Sequence, residues 1–146
     1  MKMQNSNYAS FEANRLEHSK KTYVTFNKGG KWQLVTPPDT DSHGRSIRCK
    51  SSLGCSLHFH AASTQEQIAP LYSFASSPGL IIANGNIGPY LDTNPAVTNT
   101  YLSRDGGKTW MEIAKGPHVY EFGNYGSLIV MAPDMRNATH IMYSWD

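Results

Sequence analysis

Two cysteines, Cys49 and Cys55 in the run RCKSSLGCS, are the only thiols of the chain. They are either idle thiols or the two ends of a small disulfide-closed loop. Zinc would need two more ligands, and C-x5-C is wider than the usual knuckle. Closing so short a loop would restrain the unfolded chain by roughly 2 kcal/mol, and the bond would persist only in an oxidising compartment. His58 and His60, two apart, share one face of an extended strand, as two metal ligands could. No third ligand stands at partner spacing, which favours packing inside a strand layer or a position facing a central tunnel. His118 follows Gly116-Pro117 and is read as capping the start of a strand. Its sharper alternative is acid sensing, since imidazole titrates in mildly acidic solution.

Catalytic constellations are thin. Gly85 to Gly88 has neither the strand-to-helix setting nor the lysine of a phosphate loop, and is expected to turn the chain after a buried strand. No G-x-S-x-G elbow occurs. Only five arginines are present, and Arg104 falls inside a turn, which argues against arginines gripping a substrate carboxylate as in sialidases. No cofactor and no metal is expected.

The strongest signal is an internal repeat. Thr25-Phe26-Asn27-Lys28-Gly29-Gly30-Lys31-Trp32 aligns without gaps on Ser103-Arg104-Asp105-Gly106-Gly107-Lys108-Thr109-Trp110. Both carry a hydroxyl, then Asn or Asp, then Gly (Gly29, Gly107), then Trp (Trp32, Trp110). Ser144 and Asp146 match the start of a third copy, 41 residues on from Ser103, and the motif is cut there. The chemistry is structural. A short carboxylate or carboxamide accepts hydrogen bonds from the next main-chain N–H groups, glycine supplies a positive φ, and the indole packs below the closed hairpin.

The elements that hold these residues are β-strands. From Thr22 onward, β-prone runs alternate with Gly, Pro, Asn and Asp clusters: TYVTF, WQLV, SLHFHA, GLIIAN, NTYLS, TWMEI, HVYEF, SLIVMA and HIMYS. This predicts an all-β fold, and a spacing of 41 residues is the length of one four-stranded propeller blade. The expected anatomy is a partial β-propeller of about two to two-and-a-half blades. Residues 22–35 end one blade, 56–113 form a full blade with insertions, and 118–146 begin the next. Residues 1–21 are polar and unassigned. Hydrophobic residues make up 39% and charged residues 16% of the chain, too apolar for a disordered tail. The net charge of +2, without a basic stripe, excludes a phosphate-backbone partner. No apolar run is long enough to span a bilayer, and MKMQNSNYAS lacks the apolar core of a secretory leader.

The repeat itself is the Asp-box of sialidases and receptor propellers. Together with GCSLHFHA, SSPGLIIANGNIG, TYLSRDGGKTW and KGPHVYEFGNYGSLIVMA, it makes the span from Thr22 to Asp146 resemble the luminal propeller of the sortilin family of vacuolar-protein-sorting receptors. The resemblance implies a ten-bladed propeller whose tunnel binds peptide, propeptide or protein ligands. It also implies a type I receptor sorting cargo between Golgi, endosome and surface, attached to the membrane only through regions absent from this chain. It pairs Cys49 with Cys55 as a disulfide. Two departures stand out: Asn27 replaces the usual Asp, and Asn124-Tyr125 replaces the common pair of an acidic residue followed by a small residue or His before Gly126. No ligand-contacting residue carries over. Asn137-Ala138-Thr139 fits the glycan-acceptor rule in a loop that would be exposed in a luminal protein. The alternatives to a receptor are an Asp-box glycosidase and a non-catalytic extracellular scaffold.

A blade cannot bury both faces alone and leans on its neighbours. The chain is therefore expected to be a partial product and, in isolation, to melt without a sharp transition when followed by circular dichroism. A cooperative melt of a monodisperse monomer would contradict this.

Overall fold

Alternation of β-branched and aromatic residues between turn clusters yields ten strands in the computed structural model, which describes residues 20–60, 71–134 and 137–145. They are β1 (Tyr23–Val24), β2 (Gln33–Leu34), β3 (Ser56–Phe59), β4 (Tyr72–Ser73), β5 (Ile81–Gly88), β6 (Asn99–Ser103), β7 (Met111–Lys115), β8 (His118–Gly123), β9 (Leu128–Pro133) and β10 (Met142–Trp145). No α-helix occurs among the described residues; Ser51–Leu53, Pro95–Val97 and Asn124–Gly126 form single 3-10 turns. The all-β class expected from the sequence is what the chain adopts, in several antiparallel sheets consistent with a partial propeller.

Three sheets form. β1 and β2 make a hairpin, β3-β5-β6-β7 make the central sheet with β4 added along β5, and β8-β9-β10 make a meander. Val35 bridges Leu57 and so ties the first hairpin to β3. One apolar cluster, of Val35, Leu57, Phe59, Ala83, Tyr101 and Trp110, includes partly buried Val24 at its edge. A second, of Ile82, Leu102, Phe122 and Ile129, joins the central sheet to the meander. Successive residues of β5, Ile82 and Ala83, thus enter different clusters, as expected of a strand buried on both sides. Fully burying side chains such as Ile82 or Leu102 contributes roughly 1.5–3 kcal/mol each, an upper figure for a collapsed unfolded chain.

The meander keeps one face uncovered. Phe122 and Ile129 point into the second cluster, whereas Val119, Tyr143 and Trp145 are 46%, 76% and 67% exposed. Val130 lies opposite Tyr143 and Leu128 opposite Trp145, so this outward face is largely apolar, with Glu121 standing opposite Val130 on β8 as its charged residue.

Two sequence expectations change. Gly85 to Gly88 does not turn the chain; it is the second half of β5, pairing Gly85 with Phe59 and Gly88 with Ser56. Its glycine is a matter of contact: a Cβ on Gly85 would lie 2.1 Å from the His58 carbonyl oxygen. β4, in a segment not among the predicted strands, is a two-residue addition to β5 at Ile81 and Ile82. The polar segment of residues 1–21 lies outside the described residues except for Lys20 and Lys21.

Replacing Gly85 with Ala must push β3 away from β5, since the obstructing atom is main chain. The expected cost is about 3 kcal/mol. Native-state hydrogen exchange should show protection lost from Leu57 to Phe59 and from Gly85 to Ile87 together. Unchanged protection would refute the close approach.

Candidate functional site

The two aligned segments close their hairpins with the same hydrogen bonds. In the first, the Thr25 hydroxyl donates to Asn27 Oδ1 (2.9 Å), Gly29 N–H donates to Thr25 Oγ1 (3.1 Å) and Lys31 N–H donates to Asn27 Oδ1 (2.8 Å). In the second, the Ser103 hydroxyl donates to Asp105 Oδ1 (2.9 Å), Gly107 N–H donates to Ser103 Oγ (2.8 Å) and Thr109 N–H donates to Asp105 Oδ1 (2.9 Å). The backbones agree too: Gly29 and Gly107 have φ of 92° and 90°, and the preceding Lys28 and Gly106 have 57° and 72°. Val24 pairs with Gln33 and Leu102 with Met111, the same register around each turn. Asn27 and Asp105 do equivalent hydrogen bonding, so no negative charge is needed for the turn. Where the charge exists, the Thr109 hydroxyl and N–H hold the Asp105 carboxyl down at about 2.

The indoles part company. Trp110 is buried, donates from Nε1 to the Gly107 carbonyl (3.1 Å) and lies 4.3 Å from the Phe59 ring. Trp32, at the tip of a hairpin with only two residues per strand, is 59% exposed. Ser144 sits within β10, beside a small cavity of about 180 Å³ that Arg104 also lines. Asp146 lies outside the described residues. Cys49 and Cys55 form a disulfide across a 3-10 turn, with Cα atoms 5.4 Å apart. Asn137 is exposed in the stretch between β9 and β10.

A buried polar joint connects the central sheet to the meander. The Asn84 carboxamide pairs with the main chain of His118 as a strand residue would. Its Nδ2 donates to the His118 carbonyl (2.8 Å), and its Oδ1 accepts from His118 N–H (3.0 Å). Thr100 Oγ1 lies 2.9 Å from Asn84 Oδ1, 2.9 Å from the Gly116 carbonyl and 2.8 Å from His118 Nδ1. All three side chains are buried. His118 does open β8, as expected, but its ring faces inward to Thr100. Sequence reading missed Asn84 and Thr100; the available signal was a carboxamide at the end of the apolar run GLIIAN.

A second polar group holds the loop between β2 and β3 against β7. Asp41 accepts from the main-chain N–H of His43 and Arg45, both at 2.9 Å, and pairs with the Arg45 guanidinium and the Lys115 ammonium. Its carboxyl is held well below the usual carboxylate range, first by the Arg45 N–H and also by Lys115. Glu112, buried, pairs with Lys115 and accepts from the Ser42 hydroxyl (3.0 Å) and from Asn99 Nδ2 (3.0 Å). Burial pulls the Lys115 ammonium down, but the Glu112 and Asp41 carboxylates raise it above its ordinary value.

Next to this group, an open groove of about 700 Å³ runs between β7 and the meander, walled by Ile113, Pro117, Pro133 and Met142 and rimmed by His43, Asp134 and His140. It is the larger of the two concavities described. Of the described arginines, Arg45 is engaged by Asp41, while Arg48 and Arg104 sit on different loops.

His58 and His60 are both buried, and each is spent on the fold. His58 Nδ1 accepts from Thr22 N–H (3.1 Å), and Nε2 faces the Gly88 carbonyl (3.1 Å). A main-chain N–H only donates and a carbonyl only accepts, so the ring is neutral with its proton on Nε2. His60 Nε2 meets the Thr98 hydroxyl at 3.3 Å. Burial lowers the pKa of His58, His60 and His118 alike; the Gly88 and Gly116 carbonyls partly oppose this at His58 and His118, and Asp92 does so at His60.

Over residues 2–146 the sequence matches the family described as "Sortilin, neurotensin receptor 3", so the match starts ahead of Thr22. It is similar to vacuolar protein sorting/targeting protein 10 of Ajellomyces capsulatus, at 38% identity over 86% of the chain and 9% of the relative. Vacuolar protein sorting/targeting protein PEP1 of Saccharomyces cerevisiae is 36% identical over 97% of the chain and 9% of its own length. An uncharacterized membrane glycoprotein of the same yeast is 37% identical over 97% of the chain and 13% of its own length. The chain thus spans about a tenth of the length of these relatives.

The neutral histidines set a pH dependence. The unfolded chain takes up protons as pH falls past about 6.5 and the folded chain does not, so their contribution is constant above that pH and stability is lost below it. The slope approaches about 1.4 kcal/mol per pH unit for each histidine that stays neutral. With this stretch placed in the matching segment of a full-length relative, urea titrations followed by exchange of the Leu57 and Phe59 amides should show a lower midpoint at pH 5.5 than at pH 7.5, with the difference reduced in His58→Gln. Equal midpoints would contradict the buried neutral state.

Proposed function

Because this chain belongs to the Sortilin-Vps10 family of sorting receptors, we propose that it forms part of a luminal propeller that binds peptide or protein cargo, making and breaking no bond. The observation that carries this reading is the family match along residues 2–146, falling on antiparallel sheets joined by two hairpins of equal geometry. In this reading the hairpins at Thr25–Trp32 and Ser103–Trp110 are Asp-boxes. β1 and β2 are the outer strands of one blade, β3-β5-β6-β7 a complete four-stranded blade, and β8-β9-β10 three strands of the next. The exposed Val119, Tyr143 and Trp145 on the outward face of the meander support this division, since a blade leans on a neighbour at each face.

The whole receptor, in this proposal, is a ten-bladed propeller on a type I membrane protein that moves cargo between Golgi and endosome. Among the described residues no helix is long and apolar enough to cross a membrane. The disulfide suits an oxidising lumen. The groove between β7 and the meander is the concave surface we assign to cargo, because clefts with apolar walls and a few polar groups bind peptides better than flat faces do.

The test is a graft. Placing this chain in the matching segment of the Saccharomyces cerevisiae sorting/targeting protein PEP1 should leave delivery of vacuolar cargo intact. Widening the wall with Ile113→Asp should lower cargo capture about tenfold without releasing the receptor from its membrane. A folded, correctly located graft that captures no cargo, or any turnover of sialyl substrates, would overturn the reading.

A further inference from the structure

We propose that Asn137 is an N-linked glycan acceptor. Asn137-Ala138-Thr139 is the only N-x-S/T run in the sequence with a residue other than Pro in the middle. Its three residues are exposed and lie between the end of β9 at Pro133 and the start of β10 at Met142, outside both strands. The acceptor must leave its surroundings to reach a transferase, which a residue held in a strand ladder cannot do. The Thr139 hydroxyl, needed to orient the carboxamide, stands 3.5 Å from His140 Nδ1, a separation too long to hold it.

In the transfer, Asn137 Nδ2 bonds to the anomeric carbon of an oligosaccharide carried on a polyprenyl diphosphate. The bond from that carbon to the diphosphate oxygen breaks, the diphosphate leaves with the electron pair, and one Nδ2 proton passes to a base. The position suits a permanent sugar. It lies off the sheet, between two strands, whereas a glycan on the outward face around Val119, Val130 and Tyr143 would block any sheet packed there.

The inference rests on the luminal reading above, and the experiment separates the two. Sent through the secretory route of yeast behind a cleavable leader, the chain should carry one glycan, removed by peptide N-glycosidase with Asn137 left as aspartate. Asn137→Gln and Thr139→Ala should abolish it, and Thr139→Ser should retain it at severalfold lower occupancy. A secreted chain with Cys49 and Cys55 joined and Asn137 unmodified would overturn the proposal. Secreted chain with both thiols free would instead count against the luminal reading, and the state of Asn137 would still decide this one.

Discussion

The arrangement of the two larger sheets depends on one side chain acting as backbone. Asn84 offers a donor and an acceptor at the spacing of a peptide group, and His118 answers with its own N–H and carbonyl. Both partners are buried, where an unpaired amide costs roughly 1–3 kcal/mol, so the pairing is enforced as much by the penalty for losing it as by its own strength. The apolar cluster of Ile82, Leu102, Phe122 and Ile129 supplies the larger driving force, but apolar contact alone does not fix the offset between two sheets. The carboxamide does.

The hairpin motif plays the same part at the other end of the strands. Each copy ties the hydroxyl before the turn and the carboxamide or carboxylate inside it to main-chain N–H groups beyond it, so the strands leave in one register. Asn27 shows that the carboxylate charge is dispensable for this. Trp110 shows what the indole adds when a sheet lies beneath it, and Trp32 shows that the turn forms without that contribution. Turn closure and indole packing are separable parts of one motif.

Much of this was legible in the residues. Two hairpins in equal register follow from a gapless repeat, and β6, predicted over Asn99 to Ser103, occupies that span. The disulfide followed from resemblance, where spacing alone left free thiols open. What escaped notice has a common cause: it depends on contact between segments far apart in sequence. Gly85 looks like a turn residue until the His58 carbonyl is seen against it, and Asn84 looks like the polar end of an apolar strand until His118 arrives. The clamp of Asp41 on Lys115 reaches from a Pro-rich loop to a strand edge, which no local pattern announces. β4, two residues long, is too short for any periodicity to mark.

The joint at Asn84 also follows the order of the chain. Asn84 on β5 and Thr100 on β6 both precede His118 in the chain, and His118 opens β8 three residues beyond the end of β7, so the strand it begins reaches the sheet edge directly after the layer that holds its partners. The incoming strand then meets a template whose polar and apolar contacts are already spaced for it. Addition of a strand to a neighbouring layer that already presents matched partners spares the chain a search among alternative pairings.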